Sequence, residues 1–88
     1  MKRYAEKWDM SPARIEPDKT TYVGRFAIRL RKLREDAGLT PEEVGTALGV
    51  SPNTIYQWEA ARRQPQIAQL PEIASVLGIS VRTLMAQN

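Results

Sequence analysis

Apolar residues recur at three- and four-residue steps from Val23 onward, and the recurrence stops and restarts at clear punctuation. Val23, Phe26, Leu30, Leu33 and Ala37 form a first stripe with amphipathic-helix spacing. Thr20 or Thr21 is placed to cap its start, and Gly38 stands where a left-handed stop belongs. Thr40-Pro41-Glu42-Glu43 predicts a second helix. It puts a hydroxyl at the cap, proline where a missing N–H costs nothing, and a glutamate that closes a capping box. Val44, Ala47 and Leu48 are the expected buried face, and Gly49 ends the helix. After only Gly49 and Val50, Ser51-Pro52 repeats the hydroxyl–proline start. In this third helix Ile55 and Trp58 share a core side, while Asn53, Tyr56, Gln57 and Ala60 fall on the others. Pro65 breaks it. Leu70-Pro71 opens a fourth helix with Ile73, Ala74, Val76 and Leu77, closed by Gly78. Ser80 caps a short fifth, with Val81, Leu84 and Met85 expected inward. No stretch alternates with period two, so the fold class is all-α: five helices with short connections.

The first twenty residues stand apart from this pattern. They mix charges and prolines without periodicity, and Tyr4 and Trp8 are their aromatic pair. Residues 1–20 are therefore read as an irregular N-terminal arm, and 21–88 as the helical domain. Eighty-eight residues suffice for one modest core. The absence of cysteine excludes disulfides and thiolate metal sites, and the absence of histidine removes the commonest base and metal ligand. No metal, cofactor or enzymatic activity is expected. No apolar run is long enough to span a bilayer or to serve as a signal peptide, so a cytoplasmic protein is expected. The net charge is +3, with five basic residues and no acid between Arg25 and Arg34, and a second basic pair at Arg62-Arg63. Such runs suit a solvated helix face as well as an anionic partner.

The doubled start decides between these. Two short helices joined by a tight glycine turn are the parts of a helix-turn-helix, in which the second helix packs through one side and leaves the other free for a DNA major groove. Gly45 fits this arrangement, because a glycine inside a helix costs about 1 kcal/mol against alanine and a close crossing gives a reason to accept that. Gly49 fits as well, at a turn that calls for positive φ.

The stretch "LREDAGLTPEEVGTALGVSPNTIYQWEAARRQPQIAQLPEIASVLGISVRTLM" resembles the phage-repressor and Cro-like, xenobiotic-response-element type of helix-turn-helix domain. The resemblance covers about Val23 to Met85. It implies a compact five-helix DNA-binding transcriptional regulator, commonly a homodimer. Asn53 and Gln57 match positions from which such proteins reach base edges. Their place opposite Ile55 and Trp58 agrees, since carboxamides pair bidentately with adenine. Tyr56 suits a thymine methyl, a phosphate or simple packing. Thr40 and Ser51 cap helices and suit phosphate oxygens. Pro52 departs from the family, which often carries a polar base-reading side chain there, and so shifts weight to DNA shape. The family's Asn-Gly turn after the recognition helix is replaced by Ala60-Ala61, while Arg62 and Arg63 remain as phosphate contacts. By the same resemblance Arg34 and Glu59 form a partly buried salt bridge, and Ile79–Asn88 is the candidate dimer surface. Two alternatives accompany the repressor reading. One is an antitoxin that holds a toxin through its N-terminal arm and represses its own operon. The other is a short Cro-like switch.

Overall fold

The computed structural model describes residues 16–86. Among them are five α-helices and no strand: α1 (Tyr22–Asp36), α2 (Pro41–Leu48), α3 (Pro52–Glu59), α4 (Leu70–Leu77) and α5 (Val81–Leu84). A 3-10 turn over Ile67–Gln69, which the periodicity does not announce, leads into α4. Tyr4, Trp8 and the arm as far as Ile15 lie outside the described residues.

Each expected cap is formed. The Thr21 hydroxyl accepts from the Gly24 amide at the start of α1. At α2 the box is reciprocal: Thr40 Oγ1 accepts from the Glu43 amide at 3.1 Å, and Glu43 Oε1 accepts from the Thr40 amide at 2.8 Å. Ser51 and Ser80 cap α3 and α5. Gly49 takes φ 76°, the left-handed value the turn requires.

The core joins Phe26 and Leu30 of α1, Val44 of α2, Ile55 and Trp58 of α3, Ile73, Ala74 and Leu77 of α4, and Leu84 of α5. Helix α3 touches both α1 and α2, α4 packs on α2, and α5 closes against α1 and α4. Three expected core positions are exposed instead. Ala47 is one, because the buried stripe of α2 runs through Pro41, Val44 and Gly45 and so turns away from it. Ala37 is the C-cap of α1, past the packed turns. Val81 opens a helix of a single turn, whose burial is carried by Leu84.

The stripe is turned because Gly45 faces the backbone of the following turn. A Cβ at Gly45 would lie 2.7 Å from the Val50 carbonyl oxygen and 3.4 Å from the Pro52 nitrogen. The chain therefore folds back on α2 at backbone distance, closer than any side chain allows.

The far end of α3 is fixed by charge. Arg34 Nε donates to Glu59 Oε2 at 2.6 Å, Nη2 donates to Oε1 at 3.1 Å, and Nη1 donates to the Leu39 carbonyl at 2.8 Å. The Arg34 and Glu59 side chains are 11% and 7% exposed. The hydrogen bonds from Glu59 outweigh burial and raise the Arg34 pKa above its ordinary value. That contribution is present below arginine's ordinary pKa and is lost only as pH rises through the raised one, so the pair holds throughout the physiological range. Beyond it, Ala61 adopts φ 60° without being glycine, and the Gln57 carbonyl accepts from the amides of Arg62 at 2.9 Å and Arg63 at 3.3 Å. The chain after α3 thus turns on a left-handed alanine, where the sequence has no Asn-Gly pair.

Two stability predictions result. Glu59→Ala should lower the unfolding free energy in urea by about 3–5 kcal/mol, because it strands a buried guanidinium. Arg34→Met with Glu59→Leu should cost less than either single loss, and an equal or larger cost would show that the pair is not desolvated as described. Ala61→Gly should stabilise by about 0.5–1 kcal/mol, since glycine has no Cβ penalty at that φ; an unchanged urea midpoint would contradict strain there.

Candidate nucleic-acid interface

Helix α3 buries Ile55 and Trp58 and leaves Asn53 and Tyr56 exposed, the latter at 52%. Gln57 is half-buried one turn beyond Asn53, and Pro52 is half-buried at the helix start. Eight residues make a helix of about 12 Å, comparable with the roughly 12 Å width of a B-DNA major groove.

Asn53, Tyr56, Gln57 and Arg62 share a cleft of about 700 Å³ with Arg31 and Lys32 of α1. Thr40, Ser51, Pro52 and Arg63 do not line it. They stand at the start of α2, the start of α3 and the loop after α3, where all but half-buried Pro52 are exposed. Arg63 nevertheless reaches α3, because its Nη1 donates to Gln57 Oε1 at 3.4 Å. The carboxamide oxygen of Gln57 is thereby given a partner, and its NH₂ group remains a donor for a base edge.

The two capping hydroxyls keep a second capacity. Thr40 and Ser51 use their oxygens as acceptors for the Glu43 and Thr54 amides. An accepting hydroxyl still carries a proton that it can donate to a phosphate oxygen. The amides at the start of α2 and α3 add the positive end of each helix dipole.

Arg31 and Lys32 were visible in the sequence only as part of a basic run. Both are paired along their own helix, Arg31 with Glu35 at 3.1 Å and Lys32 with Asp36 at 3.5 Å. The run therefore behaves in part as the solvated face its composition allows, yet its middle forms the wall opposite α3. The short stretch before α1 also reaches this cleft, at Glu16 and Pro17. The mark of this approach in the sequence is Gly24, a glycine inside α1 that the apolar pattern does not account for. Among the described residues no group of acidic side chains is arranged to hold a metal ion, and no helix is long and apolar enough to cross a membrane.

Comparison with known proteins matches this architecture. A "Helix-turn-helix domain" family model matches residues 25–87. An uncharacterized HTH-type transcriptional regulator, y4dJ of Sinorhizobium fredii, is 41% identical over 49 residues, which is 56% of this chain and 64% of that protein. The match thus spans under two-thirds of that relative's length. Among solved structures, the P22 c2 repressor protein in complex with synthetic operator 9T superposes with a TM-score of 0.64 at 25% identity, covering 72% of this chain and 96% of that one. The restriction-modification controller protein C.AhdI from Aeromonas hydrophila gives 0.65 at 28% identity, covering 72% and 94%. The chain belongs to the helix-turn-helix domain family, with the five-helix fold of the phage-repressor and Cro-like regulators.

Proposed function

We propose that the protein is a sequence-specific regulator of transcription, most simply a repressor, that binds double-stranded DNA as a homodimer with α3 in the major groove. The observation that carries this reading is the division of α3. Ile55 and Trp58 are almost wholly buried, while Asn53 and Tyr56 on the other side are exposed beside half-buried Gln57. A helix held this way presents base-reading chemistry on a rigid support. The operator complex of the similar P22 c2 repressor supports the choice of partner. Asn53 and Gln57 read bases, Tyr56 and Pro52 make apolar or phosphate contact, and Thr40, Ser51, Arg62 and Arg63 hold phosphates. No cofactor enters this reading.

The second copy pairs through the last helix and the loop before it. Val81 is 39% exposed there, and Ile79 is half-buried. Met85 of the same segment borders, with Tyr22 and Ile67, an apolar hollow of about 210 Å³, with Ile67 85% exposed. Apolar surface of this kind, gathered on one part of a small domain, suits a partner.

Fluorescence anisotropy against random duplexes and a duplex selected from a random pool tests the DNA reading. Affinity should fall steeply with salt, and a salt-insensitive affinity would refute it. Gln57→Ala should lose about 1–3 kcal/mol on the selected duplex and little on random DNA. Equal losses on both would remove Gln57 from base reading. Arg63→Ala should weaken both and reduce the salt slope by about 0.9. For the dimer, Val81→Glu should shift the sedimentation mass toward one copy and lower affinity for a two-half-site duplex. An unchanged mass would place the interface elsewhere.

A further inference from the structure

A helix about 10–12 Å across fills a major groove about 12 Å wide, so the two walls of the groove lie at its flanks. An element packed beside that helix, with axes about 8–10 Å apart, stands over a sugar–phosphate backbone. In this fold α1 and α2 both pack against α3. The start of α2 already has phosphate-binding chemistry in Thr40. The cleft between α1 and α3 shows that α1 has its own.

The side that α1 turns to this cleft carries Ile28, Arg31, Lys32 and Glu35, at i, i+3, i+4 and i+7. Asn53, Tyr56 and Gln57 line the same cleft from α3. Arg31 Nε donates to Glu35 Oε2 at 3.1 Å, and this is the bond its side chain makes among the described residues. Both terminal nitrogens of the guanidinium therefore keep their hydrogens, in the plane that fits two phosphate oxygens. Lys32 Nζ stands 3.5 Å from Asp36 Oδ2, and an ammonium with three donors can serve a second anion beside the first. The two side chains are 35% and 74% exposed, so a phosphate can reach both.

Helix stability does not account for these pairs. A cation placed N-terminal to its acid is the weaker order of an i, i+4 pair, and Glu35 and Asp36 near the end of α1 oppose the helix dipole. Exposed pairs also contribute little to folding. What the pairs do is hold two long side chains along the wall of the cleft, which lowers the ordering cost of a further contact.

We propose that Arg31 and Lys32 bind backbone phosphates on the α1 side of the groove that α3 occupies, which makes α1 a third element of the DNA interface. The proposal rests on the DNA reading above and extends it beyond the helix-turn-helix. Phosphate contacts position a protein without reading sequence. The two cations therefore add affinity and salt dependence on every duplex, while base preference stays with Asn53 and Gln57.

The test compares the full chain with its Arg31→Gln, Lys32→Gln double variant by anisotropy, on the selected and a random duplex across a range of salt. Circular dichroism checks that the helices are unchanged. The slope of log affinity against log salt should fall by about 1.8, or 0.9 per phosphate contact, similarly on both duplexes. The charge-keeping exchange Arg31→Lys with Lys32→Arg should retain the parent slope. Lys32→Gln alone, at the more exposed position, should lower the slope by about 0.9 and serves if the double variant does not fold. An unchanged slope in the double variant, or in Lys32→Gln where only that one folds, would overturn the proposal and leave the two cations as a solvated helix face. An equal fall in the charge-keeping exchange would also overturn it, since the loss would then follow from a disturbed α1 and not from charge. A parent chain that binds neither duplex would instead defeat the DNA reading itself, so the two failures are distinguishable.

Discussion

Arg34 occupies a place where three elements would otherwise be free to slide. Its guanidinium bonds both carboxylate oxygens of Glu59 at the end of α3 and the carbonyl of Leu39 in the turn between α1 and α2. A guanidinium presents its donors in a rigid plane, so three acceptors fix an orientation as well as a distance. This matters because α3 is anchored to the core by two buried side chains, Ile55 and Trp58. Two contacts along a helix define a line about which it can still roll. The charged fork at Glu59, one turn after Ile55 on the same face, adds a directional tie at the end of the helix that opposes this roll. Because both side chains are largely removed from water, neither can leave without stranding the other.

The opposite end of α3 is set by steric means. Gly45 lets the Val50 carbonyl and the Pro52 nitrogen approach α2 at backbone distance, and Gly49 supplies the reversal in one residue. The start of α3 is therefore fixed by excluded volume and its end by an ion pair. Neither device uses the exposed side of the helix. Asn53 and Tyr56, together with the outer edge of Gln57, are left without a packing duty, which is why they are free to serve as recognition chemistry.

What could be read from the sequence was what is decided locally. Caps, proline starts and glycine stops act within four residues, and all five helices follow from them together with the apolar period. Ala47 and Val81 escaped because their exposure depends on how a helix is rolled against its neighbours, and Gly45 had rolled α2 toward the turn. Ala61 escaped for a different reason, since an alanine held at φ 60° by the hydrogen bonds to the Gln57 carbonyl carries no compositional mark. The Arg34–Glu59 pair spans 25 positions and was accessible only through resemblance to a family. In the candidate site, the residues of α3 were legible from helical phase. The cleft wall formed by Arg31, Lys32 and the turn before α1 needed the packing of α1 against α3, which no local pattern encodes.

The same geometry bears on how α3 would read DNA. Asn53 and Gln57 are four residues apart, about 6 Å along the helix axis, or roughly two base-pair steps of 3.4 Å. Pro52, the first residue of α3 and directly before Asn53, offers no hydrogen bond to a base, while Arg63 engages the oxygen of Gln57 from outside the helix. Direct readout is thereby confined to a short stretch, too short to define an operator alone. In the proposed dimer, the remaining discrimination would fall to the spacing between two copies and to the deformability of the sequence between their half-sites. Both depend on rigid placement of the phosphate-binding groups: a contact that could drift by a base step would blur spacing and shape together. The groups proposed for that role are the capped starts of α2 and α3 and the hydrogen-bonded loop carrying Arg62 and Arg63. All are tied to the elements that Arg34 and Gly45 lock in place, so the precision of the structural core and the specificity of the interface have a common origin.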